Sequence, residues 1–160
     1  MHFAYGRVGI ATVILTAAVP AQAQMLDVKD PAGLVAALVA SGQTAELKQG
    51  AATGGPVIRA VNNQFEYSIH FTGCTAAQNC TGLYMHSSFT PAKKMSSAQI
   101  DAWNATSTFG KADLHATSGD PNLRQKLALT DGKLSAPLLI ANTNQFREAM
   151  VSLIKVAFAS

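Results

Sequence analysis

The chain has 160 residues, and its 12 basic and 9 acidic side chains give a formal net charge of +3. Only 13% of the residues are charged, and no basic cluster extends beyond Lys93 and Lys94. The length is that of one domain with a single core, and the charge distribution argues against nucleic acid or an anionic membrane surface as a partner.

The first 23 residues have the pattern of a secretory signal peptide. Arg7 supplies a positive charge, residues 8–19 form an apolar run, and Ala21 and Ala23 fit a small-x-small cleavage site. The run is shorter than the ~20 residues that span a bilayer. We therefore expect a periplasmic or secreted protein with no stable membrane anchor after cleavage, in which residues 24–160 form one domain.

A first helix is predicted after Asp30, which is a favourable N-cap, with Pro31 in the first turn and Gly42 at the C-terminal end. Its predicted apolar stripe consists of Leu34, Val35, Leu38 and Val39. Two strands follow at residues 44–48 and 57–61.

Residues 63–89 predict a β-hairpin, preceded by a turn at Asn62 and Asn63. Apolar side chains occupy alternate positions, which marks strands with one buried face; they are Phe65, Tyr67, Ile69, Phe71, Leu83, Met85 and Phe89. If Cys74 lies opposite Cys80, all of them fall on one face, and a shift of one residue would break this agreement, although a shift of two would not. The pairs in this register are Phe71 with Leu83, Ile69 with Met85 and Phe65 with Phe89.

Cys74 and Cys80 are the only cysteines in the chain. In an oxidising compartment this hairpin spacing predicts a disulfide, whereas a metal site or a free redox pair would be favoured in a cytosolic chain. Five intervening residues also differ from the Cys-x-x-Cys redox motif.

The second half of the chain begins with a helix in which Ser96 and Gln99 form a capping box. It is predicted to end at Gly110 and to bury Ile100, Trp103 and Phe109. Two strands are then predicted at residues 111–116 and 123–129, with turns at residues 119–121 and 131–132.

A last helix is predicted over residues 135–157, where apolar side chains recur at three and four residues. Its start is open, because Asn142, Thr143 and Asn144 are poor helix formers. The resulting order α-β-β-β-β-α-β-β-α predicts a two-layer α+β fold, in which helices cover one face of an antiparallel sheet and the other face is polar.

The candidate site lies on the polar face of the hairpin and consists of Glu66, Ser68, His70, Tyr84 and His86. In the register above, His70 lies opposite Tyr84 and diagonal to His86. Two imidazoles and the Glu66 carboxylate could hold zinc or copper, although a solvated strand face explains the same residues. No Gly-x-Ser-x-Gly elbow occurs, and three of the acidic residues, Asp30, Asp120 and Asp131, already fit caps or turns. We therefore expect no catalytic residues and no cofactor.

Through a series of short motifs in its second half, the chain resembles exported members of the YbjN-domain family. The motifs are Trp103-Asn104, Phe109-Gly110-Lys111-Ala112, Gly119-Asp120-Pro121, Leu127-Ala128-Leu129 and Asp131-Gly132. The resemblance implies a regulator of bacterial sensory transduction, with a fold similar to that of type III secretion chaperones and with no catalytic residues. It leads us to expect a non-enzymatic module that binds a protein partner or forms a homodimer, through its sheet face or a sheet edge. The alternative is a periplasmic metal-binding or enzymatic protein that uses His70 and His86.

Overall fold

The computed structural model describes residues 24–50, 55–76 and 78–158. The predicted signal peptide and its cleavage site lie outside them. The three helices are α1 Pro31–Ala40, α2 Ser97–Thr106 and α3 Ala136–Phe158. The eight strands are β1 Met25–Asp27, β2 Thr44–Gln49, β3 Pro56–Asn62, β4 Phe65–Thr72, β5 Gly82–Ser88, β6 Lys111–Leu114, β7 Pro121–Lys126 and β8 Lys133–Ser135.

Six strands form one antiparallel sheet in the order β2-β3-β4-β5-β7-β6. Leu34 of α1 and Phe146 of α3 are fully buried in one core with the alternate side chains of the central strands, such as Ile69 and Met85. The α+β architecture with helices on one face of the sheet is thus confirmed. Two short strands, β1 and β8, were not predicted; they pair with each other outside the main sheet and bury Leu26 and Leu134.

The predicted caps of the first two helices are confirmed. The side chain of Asp30 accepts a hydrogen bond from the backbone N–H of Gly33, and Ser96 and Gln99 form the capping box of α2. However, α2 ends at Thr106, not at Gly110, so Phe109 lies in the following loop and is only partly buried. The early end follows from Ser107, whose backbone is extended and cannot continue the helix.

The central hairpin has the predicted register. Ile69 pairs with Met85 and Phe71 with Leu83, and a disulfide joins Cys74 to Cys80 just beyond. The two cysteines therefore lie opposite each other in the same register as the paired strand residues. This confirms that the cysteine positions and the hydrophobic pattern predict the same register.

The pairing of β4 with β5 stops at Ser68 and His86, and β5 ends at Ser88, so the predicted pair of Phe65 with Phe89 does not form. The turn before β4 is also displaced by one residue from the prediction. Asn63 and Gln64 both have positive φ, as a two-residue type I′ turn requires, and Asn62 belongs to β3.

The strands β6 and β7 are shorter than predicted. They end at Leu114 and Lys126, and Leu127 and Leu129 lie beyond β7, where Leu127 still enters the core. The turn at Asp131 and Gly132 is present, with positive φ at both residues, and it leads into β8.

Helix α3 is continuous from Ala136, through the three residues that made its start uncertain. Buried polar contacts explain why the helix persists. The hydroxyl of Tyr67 donates to Gln43 Oε1 at 2.7 Å, and Gln43 Nε2 donates to Thr143 Oγ1 at 2.9 Å. Asn62 Nδ2 donates to Asn144 Oδ1 at 3.0 Å. These contacts tie α3 to the sheet, and tertiary bonding outweighs the poor helix propensity.

No helix among the described residues combines the length and apolar character that crossing a bilayer requires.

Candidate functional site

The strand register places all five predicted site residues on the sheet face opposite the helices. Ser68 pairs with His86 and His70 with Tyr84, while Glu66 lies two residues before Ser68 on the same side of β4. We call this side of the six-stranded sheet the open face, because no helix or strand of the described residues packs on it.

The middle of the open face is a contiguous group of half-buried side chains, the ring cluster, made of Ser68, His70, Tyr84 and His86. The rings of His70 and Tyr84 are stacked, with centroids 4.8 Å apart and planes 9° from parallel. The ring of His86 meets that of His70 edge-on at 5.7 Å. Ser68 Oγ lies 2.8 Å from His70 Nε2 and 3.2 Å from the carbonyl oxygen of His86, to which it donates. The cluster is thus fixed before any ligand arrives.

A chain of hydrogen bonds also orients His86. Its Nε2 lies 3.4 Å from Asn122 Oδ1, and Asn122 Nδ2 donates to Asp113 Oδ1 at 2.9 Å. Asn122 is buried on β7, and its amide orientation is set by the carboxylate of Asp113. His86 therefore donates from Nε2 towards Asn122.

Both imidazoles favour the neutral form. Burial is the main cause that lowers the pKa of His70 from its ordinary value of 6.5, and the nearby His86 and Arg124 lower it further. Burial likewise lowers the pKa of His86, although its hydrogen bond with Asn122 opposes the effect. At neutral pH the ring cluster is therefore uncharged.

Charged side chains surround the ring cluster on the open face. The open face around it carries five basic and three acidic residues, one of them on β4 itself and the others on neighbouring strands. All of them are exposed: Lys48, Arg59, Lys111, Arg124, Lys126, Glu46, Glu66 and Asp113. Two ion pairs form among these residues, Lys48 with Glu46 at 2.9 Å and Arg124 with Asp113 at 3.7 Å. The face thus combines an uncharged aromatic centre with a charged periphery of slight basic excess.

A groove of about 560 Å³ crosses one half of this face. Its walls include Glu46, Arg59, Glu66, Ser68 and His86. Within the described part of the chain, neither Arg59 nor Glu66 has an ion-pair partner within 4.0 Å. His70 and Tyr84 stand beside the groove rather than in its walls.

A comparison with protein-family models gives a match to YbjN over residues 30–158, described as "Putative bacterial sensory transduction regulator". The chain belongs to the YbjN family. No curated protein and no solved structure matches it, so the similarity to type III secretion chaperones rests on the family resemblance alone.

In this YbjN chain, the contact of Ser68 with His70 has the distance of a nucleophile and its base. The serine has one hydroxyl proton, however, and when it is donated to the carbonyl of His86, His70 Nε2 must act as the donor to Ser68. No carboxylate within the described ranges hydrogen-bonds to His70, which leaves the imidazole without the third group that orients a catalytic base. The contact holds the Ser68 hydroxyl and the His70 imidazole together within the ring cluster.

The two imidazoles of this YbjN chain are adjacent, but Glu66 does not complete a metal site with them. Among residues 24–50, 55–76 and 78–158, no group of three His, Cys, Asp or Glu side chains is arranged to hold a metal ion. Two histidines alone would leave about half of a tetrahedral shell to water or to a partner.

Three residues of the site were not among the predicted ones. Arg59 faces Ser68 across β3 and β4, and extending the hairpin register by one strand would have found it. Asn122 and Arg124 come from β7, and nothing in the sequence indicates that β7 is the next neighbour of β5.

Proposed function

We propose that this YbjN chain is an exported regulatory module that acts by binding a protein partner through the open face, without chemical turnover. The observation that carries the proposal is the ring cluster: a fixed, uncharged aromatic centre on a sheet face that no described element covers.

The arrangement supports protein recognition because it has the anatomy of an interface. Interface centres are depleted of charge and enriched in tyrosine, and their peripheries are polar. Tyr84 supplies a large contact area with a polar tip, and its stacking on His70 removes much of the rotational freedom that binding would otherwise cost.

The charge of the periphery supports a more specific proposal about the partner. Five basic against three acidic side chains, with neutral imidazoles between them, favour a partner whose docking surface is weakly acidic. Added salt should therefore lower the association rate more than it changes the dissociation rate.

Export is part of the proposal. It is supported by the signal-peptide pattern of residues 1–23 and by the disulfide between Cys74 and Cys80, a bond that persists in oxidising compartments. The intact mass of the protein recovered from the cell envelope or medium tests it. Cleavage after Ala23 is the expected result, and a product that retains Met1 would refute the export claim.

The binding proposal is tested with the double variant Tyr84→Ala/His70→Ala. The partner is first captured from the envelope of the source cell with the oxidised protein, identified, and purified for titration. Hot-spot truncation commonly costs about 2 kcal/mol or more, so the double variant should bind at least ~30-fold more weakly. Lys155→Ala, an exposed change in α3 on the helix side, is the matched control and should leave affinity unchanged.

Two results would contradict the proposal. Equal affinity of the double variant and the wild type would show that the ring cluster is not the contact. Stoichiometric zinc or copper in the purified protein, lost in a His70→Ala/His86→Ala variant, would favour the metal-binding alternative instead.

A further inference from the structure

The two edges of the six-stranded sheet differ in whether their outward backbone groups have hydrogen-bond partners among the described residues. At the β6 edge, the side chain of Asn104 from α2 donates to the carbonyl of Ala112 at 2.8 Å and accepts from its N–H at 2.8 Å. This side chain occupies the backbone groups that an added strand would use. At the other edge, no strand of the described residues pairs with the outer side of β2.

The outward backbone groups of β2 can be assigned from its pairing with β3. Gly50 N–H donates to the carbonyl of Gly55 at 2.7 Å, in continuation of the β2–β3 register. Bonded and non-bonded pairs alternate in an antiparallel ladder, so even-numbered positions of β2 bond to β3. Ala45 and Leu47 therefore direct their N–H and C=O groups away from the sheet.

The side chains of β2 only partly protect this edge, because an exposed apolar residue stands between its two charged ones. Edge strands are commonly shielded by prolines, bulges or lysines. Leu47 is instead a large apolar side chain that is 47% exposed, and it stands on the helix side of the sheet. Glu46 and Lys48 flank it on the open face.

This arrangement is complementary to itself. If a second copy of β2 runs antiparallel with Leu47 opposite Leu47, then Glu46 lies opposite Lys48 of the second copy, and Lys48 opposite its Glu46. Both charge pairs are then attractive cross-strand neighbours, and the two leucines cover each other. In the same register, the outward N–H and C=O groups of Leu47 are positioned to bond with those of the second Leu47.

We propose that β2 is a self-association edge, where a second copy of this chain pairs antiparallel about a two-fold axis at Leu47. The two sheets join into one sheet of twelve strands, six from each copy. Because the axis is perpendicular to the sheet, both open faces point to the same side. The dimer therefore presents two ring clusters together, although the edge contact itself does not depend on what the open face binds.

The test uses charge reversal of the flanking pair. In a Glu46→Lys homodimer or a Lys48→Glu homodimer, both cross-strand pairs become like-charged, and the dimer Kd should rise roughly tenfold or more. A mixture of the two single variants restores both attractive pairs, and so does the double variant Glu46→Lys/Lys48→Glu. Sedimentation equilibrium over a concentration series should therefore show a dimer for the wild type, the mixture and the double variant, and weaker association for each single variant.

Two further measurements keep the result interpretable. At protein concentrations below the dimer Kd, the melting temperature of the single variants should match that of the wild type, because the Glu46–Lys48 ion pair within one strand is exposed and contributes little to stability. The amide of Leu47 should exchange its hydrogen more slowly at high protein concentration, and this slowing should exceed that of the amide of Ile69, which is already paired within the sheet. A monomeric wild type, or single variants that dimerise as well as the wild type, would overturn the proposal.

Discussion

The buried contact between Tyr67, Gln43 and Thr143 offers a quantitative test of what holds α3 to the sheet. The variant Tyr67→Phe keeps the ring, which packs against Phe146 with centroids 6.1 Å apart, and removes only the hydroxyl. Gln43 Oε1 then loses a donor at 2.7 Å in a place where Gln43 is 8% exposed, so water has little access to replace it.

The expected loss follows from two terms. A net neutral hydrogen bond is worth about 1 kcal/mol, and a buried acceptor left without a partner adds a penalty of about 1 kcal/mol or more. We therefore expect Tyr67→Phe to lower the free energy of unfolding by about 2 kcal/mol. For a domain of this size, that corresponds to a melting temperature lower by roughly 6–10 °C.

Urea unfolding at pH 7.5 measures the loss, with Tyr84→Phe as the matched control. Tyr84 is half-buried on the open face, so removing its hydroxyl should change stability by less than about 0.5 kcal/mol. A double variant with Gln43→Met removes both partners and should cost less than the sum of the single changes, with a coupling of about 0.5–2 kcal/mol. Equal costs for the two Tyr→Phe variants, or additive costs for Tyr67 and Gln43, would refute the reasoning.

Three further predictions concern the disulfide, the β6 edge and pH. Reduction of the hairpin disulfide should lower the free energy of unfolding by about 2 kcal/mol and should leave a cooperative urea transition. A complete loss of cooperativity would show that the bond holds the whole fold together. Asn104→Ala removes both bonds to the Ala112 backbone and should cost about 1–3 kcal/mol and speed amide exchange at Ala112, whereas unchanged exchange would contradict the edge-cap role. Because the folded-state pKa values of His70 and His86 are lowered, the unfolded chain binds more protons than the folded protein below about pH 6.5, and the free energy of unfolding should fall as the pH drops below that value. The variant His70→Gln should show a weaker dependence of stability on pH. A pH profile identical to that of the wild type would count against this explanation.

Local patterns in the sequence were sufficient for much of the fold. The register of the central hairpin followed from two independent signals, the alternation around Ile69 and the positions of Cys74 and Cys80, because a side-chain period of two permits only one parity. The start of α1 followed from Asp30 and its end from Gly42, since caps act through bonds to residues three or four positions away. The five candidate residues of the open face followed from the same parity.

Other features were decided only by contacts between distant parts of the chain. Helix α3 runs through Thr143 and Asn144 because their side chains meet those of Gln43 and Asn62. Gln43 precedes Thr143 by 100 residues, and Asn62 precedes Asn144 by 82 residues. The placement of Asn122 beside His86, and of Asn104 along the β6 edge, likewise depends on which strands become neighbours. Sequence alone therefore determined the elements whose signals are local. Tertiary structure decided the strand order, the polar contacts and which sheet edge no described strand covers, because those depend on burial against residues that no local pattern specifies.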